Sequence, residues 1–146
     1  MGQSYDALDT IRMTPGGNRI LMLVDDEPAQ TRLVTALAAR AGWRTLGVSD
    51  ADSALETLET RDGMLLDAIL IDQAMPGGDT TSLISKIREL RPDLPILMLT
   101  ALSSVEVAVD AMRAGATDFL AKPIAPDRLL AALDGAVSAK SLAGEL

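Results

Sequence analysis

From residue 19 onward, short apolar runs alternate with longer segments whose apolar residues recur at helical spacing. Few architectures accommodate that alternation: each run becomes a strand, each longer segment a crossover helix, and the strands join in one parallel sheet. The runs at 20–24, 68–71 and 96–99 fall far short of the roughly 20 residues that cross a bilayer, so they read as core strands.

Five strand–helix units can be marked. The first strand is expected at 19–25, before a helix that opens near Pro28, a residue tolerated in a first helical turn. Leu33, Val34, Leu37, Ala38 and Ala41 form its apolar stripe, and Gly42 stops it. A second strand at 43–48 leads to Ser49 or Asp50 as cap of a helix with Ala54, Leu55 and Leu58 inward; Gly63 closes the unit. The third strand, 67–72, is apolar at four successive positions, as a central strand covered on both faces requires. After the loop at 73–78, with Gly77-Gly78 as a turn, Asp79 or Thr80 caps a helix carrying Leu83, Ile84, Ile87 and Leu90. Pro92 and Pro95 bracket the turn into a fourth strand at 96–100. A helix at 103–114, starting at Ser103, then Gly115 as its stop and a short strand at 117–121 complete the alternation. Pro126 starts a last helix with Leu129, Leu130, Leu133, Ala136 and Val137 on one face.

With 146 residues, 48% of them hydrophobic, the chain can build one sizeable core and not two. A single domain is expected at 19–138, with an N-terminal extension at 1–18 and a small polar tail at 139–146. A net charge of −8 disfavours a direct nucleic-acid partner, whose phosphates need Lys and Arg. The absence of Cys and His removes thiol nucleophiles, imidazole bases and the usual transition-metal ligands, leaving carboxylates, hydroxyls and amines to do any chemistry. Residues 1–19 lack an apolar signal segment and a myristoylation pattern, so no membrane association is expected and the protein is read as cytoplasmic.

Open parallel sheets carry their sites at the carboxyl ends of the strands. Strand one ends in Asp25-Asp26, strand three in Asp72, strand four in Thr100, and Lys122-Pro123 follows strand five. Two ionised carboxylates about 4 Å apart repel by roughly 4 kcal/mol at an effective dielectric near 20, and three are worse. Lys122 offsets part of this, and a hard divalent cation offsets more: Mg²⁺ (or Mn²⁺) prefers oxygen ligands and accepts few carboxylates. One carboxylate can then attack a phosphoryl donor, with Lys122 and the Thr100 hydroxyl neutralising the transferred oxygens.

Four blocks carry a resemblance in order: Leu23-Val24-Asp25-Asp26-Glu27; Leu70-Ile71-Asp72 with Met75-Pro76-Gly77; Leu99-Thr100-Ala101; and Gly115-Ala116 through Asp118-Phe119-Leu120-Ala121-Lys122-Pro123. Over residues 19–137 the chain resembles the two-component response-regulator receiver family (CheY-like). The resemblance implies a single doubly wound (βα)5 flavodoxin-like α/β domain with strand order 2-1-3-4-5. It also implies Asp72 as phosphoacceptor, Asp25, Asp26, Asp72 and the Ala74 backbone carbonyl as metal ligands, and Thr100, the Ala101 N–H and Lys122 as phosphate binders. Thr100 and Phe119 would be the switch pair. Two departures from the common pattern stand in the loop region: Thr80 where many members have Gly, and Gln73 for a usual apolar residue.

Taken singly, each residue also has a structural reading. Asp25-Asp26 can cap a helix, Asp72 can form an Asx-turn, Lys122 can be a solvated loop residue, Thr100 an ordinary strand residue and Phe119 plain core. Together they imply a domain that takes a phosphoryl group from a histidine kinase or histidine phosphotransfer protein. It would not be a metabolic enzyme, since it would catalyse only its own phosphorylation and dephosphorylation. Its output is expected on a downstream protein, or on an attached output domain of a longer protein; a second copy of the chain, as a homodimer, is a further candidate partner. The enzyme-class alternative is a small Mg²⁺-dependent phosphohydrolase with Asp72 or Asp25 as nucleophile, but it lacks an Asp-x-Asp acid/base arrangement. A flavin binder shares the fold class and is disfavoured by the acidic loop after strand one.

Overall fold

The computed structural model describes residues 19–74, 79–101 and 105–145. The Met75-Pro76-Gly77 block, the Gly77-Gly78 turn and the expected helix start at Ser103 lie outside the described residues. Strands β1 (Arg19–Val24), β2 (Trp43–Val48), β3 (Ala68–Asp72), β4 (Ile96–Thr100) and β5 (Asp118–Ala121) alternate with helices α1 (Pro28–Arg40), α2 (Ala51–Leu58), α3 (Thr80–Leu90), α4 (Val105–Ala114) and α5 (Pro126–Glu145). A short 3-10 turn, Gly63–Leu65, precedes β3. All pairings are parallel and the strand order is β2-β1-β3-β4-β5, as expected.

Alternation along the strands sends side chains to two faces, and each face has its own core. Met22, Val24, Ile69, Ile71, Ile96 and Met98 pack against Ala54, Leu58, Leu83, Ile84, Ile87 and Ala111 of α2, α3 and α4. Leu21, Leu23, Leu70, Leu97 and Leu99 pack against Val34, Leu37 and Ala38 of α1 and Leu129, Leu133 and Ala136 of α5. Trp43, at the start of β2, belongs to this second core and is 6% exposed. Because β1, β3 and β4 are covered on both sides, their residues are apolar almost without interruption up to the strand ends.

Caps set where the helices begin. Glu27, not Asp25 or Asp26, accepts the Ala29 N–H at 3.1 Å at the head of α1; Asp50 accepts from Ser53 N at 2.7 Å and Asp79 from Ser82 N at 3.1 Å. Gly115 ends α4 with φ +122°, a conformation L side chains rarely adopt.

Several expectations need correction. Leu33 is 45% exposed because the buried stripe of α1 runs Val34, Leu37, Ala38, and a residue one step before it points sideways. Leu90 is 58% exposed, being the last residue of α3, where the chain turns away toward β4. Past the end of α2 at Leu58, Gly63 opens the 3-10 turn and passes so close to α2 that a Cβ there would lie 1.8 Å from the Thr57 carbonyl oxygen. The last helix continues to Glu145, through residues read from sequence as a tail.

Candidate functional site at the carboxyl edge of the sheet

Register places Val24 level with Ile71, Asp72 with Leu99 and Thr100 with Ala121. Asp25, Asp72, Thr100 and Lys122 therefore arrive together at one edge, each at or one residue past the end of its strand.

Asp72 is 3% exposed. Its Oδ1 accepts the Ala74 N–H at 2.9 Å and lies 2.8 Å from Lys122 Nζ. Its Oδ2 accepts from Lys122 Nζ at 3.0 Å and from Gln30 Nε2 at 2.8 Å. The Asx-turn reading is thus fulfilled by one oxygen, but the ion pair goes beyond it. Burial by itself would raise the Asp72 carboxyl; Lys122, the Ala74 N–H and Gln30 outweigh it and hold the group below the usual carboxylate range.

Asp25 is equally deep, at 4% exposed. Its Oδ1 accepts the Glu27 N–H at 2.9 Å and its Oδ2 accepts from Gln30 Nε2. Burial, together with the neighbouring Asp72 charge, pushes the Asp25 carboxyl up in spite of those bonds. The two neighbouring carboxyls are thus shifted in opposite directions, Asp72 by its cation and donors and Asp25 by burial beside a like charge.

Asp26 is exposed, at the rim of a groove it lines with Asp25, Arg32 and Ser53. Among the described residues no three acidic side chains converge closely enough to hold a metal ion by themselves. Thr100 is buried and its carbonyl accepts the Lys122 N–H at 2.7 Å, which ties the two strand ends together; Ala101 beside it is exposed. Phe119 stands apart from this group. It is half-buried on β5, level with Met98, and lines a shallow apolar groove with Val105, Val109 and Met112 of α4.

Sequence reasoning missed Gln30, which bridges Asp25 and Asp72. A signal was present: counting along β1 and β3 puts both carboxylates on the α1 side of the sheet, so a polar side chain in the first turn of α1 was the one to test. The two departures noted in the loop also meet. Thr80 Oγ1 donates to the Gln73 carbonyl at 3.3 Å, closing the loop's ends with a buried hydroxyl.

Comparison with known proteins agrees with this fold. The family model described as "Response regulator receiver domain" matches residues 21–134. The chain is similar to the transcriptional regulatory protein ZraR of Escherichia coli K12, 35% identical over 81% of this chain and 26% of ZraR. It is also similar to the transcriptional regulatory protein FixJ of Bradyrhizobium diazoefficiens, 34% identical over 86% of this chain and 58% of FixJ. Among solved structures, the beryllofluoride-activated NtrC4 receiver domain dimer superposes with a TM-score of 0.75 at 28% identity, covering 83% of this chain and 98% of that one. The chain spans about a quarter of the length of ZraR.

Proposed function

Because this chain belongs to the response regulator receiver domain family, a family of signalling domains and not of metabolic enzymes, we propose that it accepts a phosphoryl group on Asp72. The observation that carries the proposal is the buried, ionised Asp72 carboxylate held by both of its oxygens to Lys122, at 2.8 and 3.0 Å. In the transfer, an Asp72 oxygen forms a bond to phosphorus while the bond from phosphorus to the donor histidine nitrogen breaks, and the imidazole leaves with the bonding pair. Lys122, already beside both Asp72 oxygens, pairs with the phosphoryl oxygens as their charge arrives. The Thr100 hydroxyl and the Ala101 N–H lie at the end of the adjacent strand and complete the anion site.

A divalent cation fits the donor set. Asp26, Asp72 and the Ala74 carbonyl would hold it directly and Asp25 mostly through water; all offer only hard oxygens, and the Asp25 and Asp72 carboxylates already converge on one shared donor. Mg²⁺ bound there supplies neutralisation of the approaching phosphoryl charge. The donor is a histidine kinase or phosphotransfer protein, which puts the domain in the cytoplasm with the ATP-using kinase; the readout is a downstream protein, an attached output domain or a second copy.

Acetyl phosphate with Mg²⁺ tests the proposal, read by intact-protein mass spectrometry. One acid-labile phosphoryl group per chain is expected, lost in Asp72→Asn and on chelation of the metal. Labelling that persists in Asp72→Asn rejects Asp72 as acceptor, and turnover of small phosphate esters would instead favour a phosphohydrolase.

A further inference from the structure

Two buried carboxylates here share a single donor nitrogen. Gln30, in the first turn of α1, presents Nε2 to Asp25 Oδ2 and to Asp72 Oδ2. An ionised carboxylate only accepts hydrogen bonds, so the amide must turn its nitrogen, not its oxygen, toward the pair. We propose that Gln30 is a built-in surrogate for the divalent cation: its amide nitrogen engages in the metal-free domain the same carboxylate oxygens that a cation would use, and the two compete.

Lys122 cannot fill this place, because its ammonium is committed to both oxygens of Asp72. Among the described residues, the donors to Asp25 are the neutral Glu27 N–H and Gln30, and Gln30 donates to both Asp25 and Asp72. Capping by Glu27 and Pro28 at the head of the helix fix the backbone that carries it. Gln30 is itself half-buried, at the rim, with solvent to withdraw into. Its departure also removes one of the two donors on Asp72 Oδ2, so the cation that displaces it loosens the nucleophile as well. Gln30 is thus a positioning residue that holds the site together until metal arrives. This inference rests on the phosphoacceptor reading, since that reading is what calls for a cation at these carboxylates.

The test is Mg²⁺ titration of the whole chain, wild type against Gln30→Leu, by calorimetry and by ¹H–¹⁵N NMR of side-chain amides. The Gln30 amide pair, identified by its loss in the variant, should move over the concentration range in which calorimetry reports binding. Gln30→Leu should bind Mg²⁺ about tenfold more tightly, since one charge-assisted hydrogen bond no longer has to be broken. Should Gln30→Leu fail to fold, Gln30→Met, closer in shape, carries the same comparison. Unchanged or weaker Mg²⁺ binding by the variant, or a Gln30 amide that stays fixed through saturation, overturns the competition while acetyl phosphate labelling of Asp72 leaves the receiver reading standing. A wild-type chain that neither binds Mg²⁺ nor takes label overturns both.

Discussion

At the scale of single residues, the two carboxyls respond to pH in opposite senses. Asp72, lowered in the fold, contributes stability above the unfolded carboxyl value of about 3.9, and that contribution is lost as pH falls through its folded value. Asp25, raised in the fold, does the reverse: ionised at neutral pH it destabilises, and the penalty is relieved as pH falls through its folded value. In metal-free buffer, Asp25→Asn should therefore melt higher than wild type at pH 7, with the gap closing as pH drops toward about 3.9. Thermal melts across pH measure this; a variant less stable than wild type at pH 7 would show that the Asp25 charge is offset by more than the Glu27 N–H and Gln30. How much of the site could be read from sequence follows the same division. Asp25, Asp72, Thr100 and Lys122 were legible because strand ends define the edge, whereas Gln30 was missed, because the strand-parity signal for it becomes specific only once the side of the sheet covered by α1 is known.

At the scale of elements, two arginines fasten the edge of the sheet opposite the site. The Arg88 guanidinium donates to the Gly115 carbonyl at 3.0 and 2.7 Å, to the Arg91 carbonyl at 3.1 Å and to the Pro92 carbonyl at 2.8 Å, binding the end of α3 to the turn between α4 and β5. Arg91 in turn donates to the carbonyls of Leu58 and Gly63, at 2.7 and 3.0 Å, reaching the end of α2. Arg88→Met keeps most of the stem's packing but strips these carbonyls of their donor, which should lower stability by about 2 kcal/mol. Urea denaturation with an unchanged slope checks the figure, and acetyl phosphate labelling should persist because Arg88 is remote from Asp72. Strand positions and most buried helix stripes were legible from periodicity, since the sheet demands them. Leu33 and Leu90 were misjudged because a stripe's exact azimuth and a helix's overhang are set by neighbouring elements, which pattern alone does not describe.

At the scale of the whole molecule, the proposed phosphorylation of Asp72 would have to be felt at a surface a partner can read. Thr100 and Phe119 are the proposed link, and the apolar groove between Phe119 and α4, with Val105 80% and Met112 43% exposed, is the surface nearest to it. On that proposal, new acceptor oxygens on Asp72 would draw the Thr100 hydroxyl toward them, which would let the Phe119 ring move inward. A shift from 1:99 to 99:1 needs about 5.5 kcal/mol of differential interaction, within reach of a few charge-assisted hydrogen bonds. Amide NMR with beryllofluoride should thus show changes at Phe119 and along residues 105–114, and Thr100→Ala should bind beryllofluoride with those distant changes reduced. Perturbations confined to the Asp72 pocket would reject the switch pair. The remaining consequence concerns Trp43, the sole tryptophan, buried at the start of β2 while the site lies past the far ends of the strands. Five residue steps of strand separate Trp43 from Val48, whose carbonyl accepts the Asp25 N–H, a separation of about 16 Å at 3.3 Å per residue. The indole's fluorescence therefore follows loss of the α1–α5 core and stays silent to events at Asp72, so one intrinsic emission signal reports folding free of interference from signalling.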